Sequence, residues 1–154
     1  MESDLSSPAT PTAPVDVLLT WHESTGFPVD WPETVERWPE PVPDPSVLAT
    51  VHHARAEYEG VTIGVHLATP RRDGQLQTVW CGVAPEWRGR GVAQRLIARH
   101  LRWAAEQGRY DVRAHTPAGC PAMVVANLKV GFEIVGSFSD PAGAVVVILQ
   151  ARRG

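Results

Sequence analysis

VAPEWRGRGVAQRL, Val83–Leu96, stands near the middle of a chain of 154 residues. Pro85 closes an apolar run upstream, and from Ala93 onward apolar residues return at helical spacing. Between the two lie Arg88, Gly89, Arg90 and Gly91. A helix N-terminus leaves four backbone N–H groups without partners and carries about half a positive charge. Glycines remove the side chains that would obstruct an approach, and arginines add positive potential. The stretch therefore predicts an anion cradle suited to a phosphate or pyrophosphate. Taken alone, it is equally a glycine-rich surface turn with two solvated arginines. It has neither the GK[ST] of a Walker loop nor the GxGxxG of a dinucleotide fold.

Working outward, the helix is expected to run to about Gln107, with Gly108 as its C-terminal stop. Ala93, Leu96, Ile97, Leu101 and Ala104 define its buried stripe, leaving Arg95, Arg99 and Arg102 on a solvated face. Upstream, Leu76–Val83 reads as a strand behind a turn at Arg71–Gln75. Val47–Tyr58 and Val61–Pro70 read as strands joined by a Glu59-Gly60 hairpin turn. Val15–Trp21 reads as a first strand, and Gly26–Ser46, with six prolines, admits only a short helix at Pro32–Trp38. Downstream come a strand at Tyr110–Thr116 and a short helix at Cys120–Val130, with Pro121 in its first turn and Gly131 ending it. Strands Phe132–Phe138 and Ala144–Arg152 flank a turn at Ser139–Gly143. The last strand is apolar on both faces and is expected inside the sheet. The fold class is α/β, in the α+β sense: a mixed sheet flanked by helices.

Residues 1–14 are rich in Ser, Pro, Thr and Ala and are expected to form a disordered tail before one domain, residues 15–154. With 44% apolar and 20% charged residues, the chain can bury a core without disulfide or metal. A net charge of −3 argues against a nucleic-acid partner. Cys81 and Cys120 form no CxxC pair, so neither a zinc site nor a disulfide framework is indicated. The apolar run Ala144–Leu149 is too short to cross a bilayer, and the acidic N-terminus lacks a signal-peptide core. The expectation is a cytoplasmic protein with no membrane partner.

A strand ending Val83-x-Pro85, then Arg88-Gly89-Arg90-Gly91-Val92-Ala93, then an amphipathic helix resembles the coenzyme A signature Q/R-x-x-G-x-G/A of the GNAT acetyltransferases. The likeness covers roughly residues 47–150, including the order of elements and the late GFE at Gly131–Glu133. It implies a mostly antiparallel sheet and an N-acetyltransferase that takes acetyl-CoA as cosubstrate and a small-molecule or peptide amine as acceptor, by direct attack. It implies that amides of Arg88, Gly89, Arg90, Gly91, Val92 and Ala93 hold the pyrophosphate. Cys81, Gly82 and Val83 would face the pantetheine, beside a splay between their strand and the next. Homodimers are common in that family. Around the Pro-rich segment, Trp21, Trp31 and Trp38 are candidate walls of the acceptor pocket.

The chain departs from the family where an acid is expected. Cys120 stands where many members carry Asn, and Asn127 where they carry the Tyr that protonates the departing thiolate. Met123, Asn127, Gly131 and Phe132 fit a variant pattern of the family, and Asn127 could still hydrogen-bond the pantetheine or its sulfur. A thiol, with a pKa of about 8.5, leaves tolerably without an acid, whereas an alkylammonium at about 10.4 needs a base. Leu76–Val83 supplies no carboxylate. His66 and His115 join Asn127 as catalytic candidates, and Glu57 and Tyr58 lie toward the acceptor side. His52 and His53, as strand neighbours, point to opposite faces and make a poor metal pair. Asp111, His115 and Cys120 would form a triad only if the fold converged them. A rival reading is a CoA-binding or dimerising module without turnover.

Overall fold

The structure, a computed structural model, describes residues 11–25, 52–71, 74–109 and 111–151. The short helix expected at Pro32–Trp38, Trp31 and Trp38, and most of the expected tail lie outside those residues.

Seven strands form one sheet in the order β1-β2-β3-β4-β5-β7-β6. They are β1 (Thr20–Thr25), β2 (His52–Tyr58), β3 (Val61–Pro70), β4 (Leu76–Val83), β5 (Val112–Pro117), β6 (Phe132–Ser139) and β7 (Val145–Ala151). Every neighbouring pair is antiparallel except β4 and β5, which run parallel. That one parallel step follows from the connection between them, the helix α2 (Val92–Glu106), because a parallel return needs a crossover. The β2–β3 hairpin turns on Glu59 and Gly60 at φ 51° and 80°, the left-handed pair of a type I′ turn.

Val92, Leu96, Ile97, His100 and Ala104 are the buried face of α2. The expected Ala93 and Leu101 flank that face and are only half-buried. The helix ends in a Schellman arrangement, with Arg109 N donating to Ala104 O and Gly108 at φ 72°. Its first half lies over β2–β4, where Val92 and Leu96 share a buried cluster with Ala54, Ala56 and Trp87. Its second half packs with β4–β7 and with α3 (Pro121–Val130), around Leu76, Val112, Phe132 and Leu149. Gly64 lets the helix lie close on β3, for a Cβ there would sit 2.9 Å from Val92 Cγ1.

Two local expectations are corrected. Val15–Trp21 is not a single strand: Val15–Leu18 forms a helical turn, α1, and β1 begins at Thr20. Tertiary packing overrides the β preference of the valines, because Val15 and Leu19 are buried against the core beside α2. Arg95 and Arg99 are not merely solvated: they pair with Asp16 and Glu23, at 2.7 and 3.3 Å, and Arg99 also lies over the Trp21 ring. The last strand, β7, does lie inside the sheet, between β5 and β6, but Leu149 is its one buried residue.

Candidate active site

The parallel pair β4–β5 lasts only three residues, Leu76–Thr78 against Val112–Ala114. Beyond them β4 stays with β3 as far as Val83↔Gly64, and β5 stays with β7 as far as Pro117↔Val146. The two central strands therefore part, and among the described residues no strand fills the gap. A bulge sits at the fork: Leu67 faces Trp80 while Ala68 faces Thr78, so Val79 is an extra residue in β4. Such an insertion bends its strand and interrupts the ladder.

At the far end of the open β4 edge, Pro85–Trp87 forms a 3₁₀ turn whose Trp87 is buried, and Arg88 folds back to donate Nε to Val83 O at 2.9 Å. Gly89 and Gly91 take φ of 75° and 80°, a region costly for any residue with a Cβ. α2 then starts without a side-chain cap and without an acidic residue in its first turn. Its first amides thus have no side-chain cap, the arrangement that suits an anion. The arginines brace the loop. Arg90 lies over the Trp87 ring, 4.7 Å from its centroid, and donates to Ala13 O at 2.9 Å. Arg95 donates to Asp16 through Nε and to Gly91 O through Nη1. A Cβ on Gly91 would collide with Arg95 Nη1, whereas one on Gly89 would meet nothing within 4 Å.

Of the residues the sequence singles out, Cys81, Gly82 and Val83 lie on β4 past the fork, and Arg88–Ala93 form the loop and the start of α2. Asn127 is buried in α3, its Nδ2 donating to Met123 O at 3.0 Å. His115 is the first residue of β5 beyond the fork, half-buried, with Nδ1 3.1 Å from Gln77 Nε2. Burial, then Arg71 and Arg113, hold its pKa below the usual imidazole value. Glu57 is engaged by His22 and Arg55 on the β1–β2 edge. The triad does not assemble: Asp111 accepts from Gln75 and Gln150, His115 meets Gln77, and Cys120 is exposed at the start of α3.

His66 is fully buried, 3.3 Å from Thr78 Oγ1, and belongs to a cluster that sequence reasoning missed. His52, His66 and His100 pack between the sheet and α2, with His52 stacked on Trp103 at 3.9 Å. Burial depresses their basicity, to about 4 for His52 and about 3 for His66, and well below the ordinary value for His100. The signal was present in the spacing, since His100 follows Leu96 and Ile97 by four and three positions. His53 points to the other face, as alternation required, and pairs there with Leu67.

Among the described residues no three His, Cys, Asp or Glu side chains converge to hold a metal ion, and no helix is long and apolar enough to cross a membrane. No curated protein sequence matches the chain. Solved structures share its fold. A GNAT family acetyltransferase from Elizabethkingia anophelis with acetyl-CoA bound superposes with a TM-score of 0.65 at 14% identity, over 88% of this chain and 99% of its own. The ribosomal-protein-S18-alanine N-acetyltransferase of Escherichia coli gives 0.66 at 10%, over 88% and 97%. Nourseothricin acetyltransferase gives 0.66 at 18%, over 85% and 97%. The profile of the acetyltransferase (GNAT) family matches residues 16–124, which take in both the fork and the glycine loop; the chain belongs to that family of acetyltransferases.

Proposed function

We propose that the chain transfers the acetyl group of acetyl-CoA to the primary amine of a small molecule or peptide. One observation carries this reading: an uncapped helix start with two left-handed glycines lies at the end of the strand that leaves its neighbour. A pyrophosphate needs that cluster of free amides, and the open space beside Gly89 leaves its approach clear. Amides over Arg88–Ala93 would hold it, and Cys81, Gly82 and Val83 would offer the open β4 edge to the pantetheine arm. When bound, acetyl-CoA supplies an acetyl thioester. The chain's share is positioning and carbonyl polarisation by fixed backbone donors. The names of the neighbours above include an antibiotic and a ribosomal-protein alanine as acceptors, so the fold alone selects none.

A second reading, a CoA-binding module without turnover, has one observation in its favour. Asn127 holds the position where the resemblance expects a tyrosine acid, and one N–H of its amide is taken by Met123 O. Calorimetry with acetyl-CoA beside a thiol-release assay on a panel of amines separates the two. Binding with release supports the transferase, binding without release the module, and no binding sinks both.

A further inference from the structure

The residue missing from the sequence reading is a base. His66 is sealed in the core, Asn127 does not titrate, and the carboxylates of Glu57 and Asp111 are held by other side chains. His115 differs from all of these in its place. It is the first β5 residue past the last β4–β5 pair, so its side chain stands at the crotch of the fork. Strand alternation puts it on the sheet face opposite Ala114, and Ala114 packs with Ile97, Ala104 and Ala126 beneath α2 and α3. The helix that the glycine loop opens thus lies on one face of the sheet and His115 on the other. We propose that His115 accepts the ammonium proton of the acceptor, with Gln77 as the positioning residue that fixes its tautomer, a role that rests on the acetyl-transfer reading above.

Three elements set the ring. Gln77 on β4 meets Nδ1 at 3.1 Å, and Phe138 on β6 presses edge-on at 5.4 Å between centroids. Ile148 on β7 is its strand partner. The amide nitrogen of Gln77 is the atom set against Nδ1, which would put the ring hydrogen on Nε2; the proposed role takes the carboxamide turned over, its oxygen accepting from Nδ1–H and the lone pair left on Nε2. Sealed, unpartnered ring nitrogens occur at His52 Nε2, His66 Nδ1 and His100 Nε2, and neither nitrogen of the half-buried His115 is one of them. The charged groups that bear on the ring are Arg71, at the end of β3, and Arg113, on β5; both favour the neutral imidazole. A neutral ring at pH 7 can take a proton.

His115 Nε2 removes one proton from the ammonium, freeing the nitrogen lone pair. The amine then forms a C–N bond to the acetyl carbon as the C–S bond breaks, and sulfur keeps that electron pair. The second amine proton ends on the thiolate, and the imidazolium returns its own proton to water.

The test uses the full chain labelled with ¹⁵N. The His115 ring nitrogens are titrated with and without excess CoA, alongside thiol-release kinetics with tyramine, spermidine and an alanyl peptide. The expected result is a neutral ring at pH 7 with the hydrogen on Nδ1. His115→Ala should lower kcat by about 100-fold or more while acetyl-CoA affinity stays within about twofold. Gln77→Glu can only accept, so it should keep the Nδ1–H tautomer and move the acid limb of kcat/KM to higher pH. Gln77→Leu should lose the tautomer preference and lower kcat with KM little changed. A hydrogen on Nε2 at pH 7, a charged ring there, or undiminished turnover by His115→Ala would overturn the assignment. If none of the amines is acetylated, the ring titration still decides whether Nε2 can serve as the base. Failure of the wild type to bind acetyl-CoA would instead refute the acetyl-transfer reading.

Discussion

His52 Nδ1 lies 3.2 Å from His100 Nδ1, one ring carried by β2 and the other by α2, with His66 tilted against His100 at 4.7 Å. Two nitrogens so close share one hydrogen at most while both rings are neutral, and protonating the pair sets two cations together in the core.

Acid should therefore loosen the grip of α2 on the sheet. Folded His52 and His66 titrate near 4 and 3, whereas an unfolded histidine titrates near 6.5. Below about pH 6.5 the unfolded chain binds more protons, so stability is complete above that value and falls as pH drops toward 4 and 3. The slope approaches about 1.4 kcal/mol per pH unit for each histidine. Urea midpoints at pH 7.5, 6.0 and 5.0 measure it, and His100→Leu should flatten the decline. Equal slopes in the two proteins would remove the cluster as the cause.

Gly64 should resist substitution for a packing reason rather than a backbone one. An alanine Cβ would stand 2.9 Å from Val92 Cγ1 and 3.1 Å from Leu96 Cδ1, both on the buried face of α2. Gly64→Ala is expected to cost about 1–3 kcal/mol by overpacking. Adding Val92→Ala should restore part of it, giving a measurable coupling in a double-mutant cycle. Additive losses would show that the helix does not feel that contact.

The two loop glycines should behave differently. Both hold left-handed backbone, which costs a substituted residue roughly 1–2 kcal/mol. Only at Gly91 does a side chain also displace the Arg95 guanidinium. Gly91→Val is expected to weaken acetyl-CoA binding by about tenfold or more, ~1.4 kcal/mol or above. Gly89→Ala should do so less. Calorimetry on both variants checks the order, and equal affinities would discard it.

Arg99 ties β1 to α2 through Glu23 at 3.3 Å and the face of Trp21 at 4.9 Å. Arg99→Ala should cost about 1 kcal/mol, seen as a lower melting temperature. Arg99→Lys should recover little, because an ammonium lacks the planar face that stacks on indole. Full recovery by lysine would reduce the contact to charge alone.

What the sequence made legible was local. The Glu59-Gly60 turn, the two left-handed glycines, the period of α2 and its stop at Gly108 are each decided within a few residues. The bulge at Val79 and the short β4–β5 pairing were not legible, because register is set by partners remote in sequence. Arg95 reads as solvated until Asp16, 79 positions away, is placed beside it. His115 was one candidate among several for the same reason. Its position past the fork depends on where β5 leaves β4, and its contact with Gln77 spans 38 positions.

The bonds from Arg90 to Ala13 O and from Arg95 to Asp16 bear on where a fragment can be cut. The family profile spans residues 16–124, yet a piece trimmed to those limits would lose the Ala13 carbonyl and Val15 at one end. At the other it would lose most of α3 together with β6 and β7, exposing the β5 edge and removing Phe132 and Leu149 from the core. The smallest piece expected to stand alone begins before Ala13 and reaches Ala151. A fusion partner is better joined at the C-terminal side, away from the arginines that shape the loop.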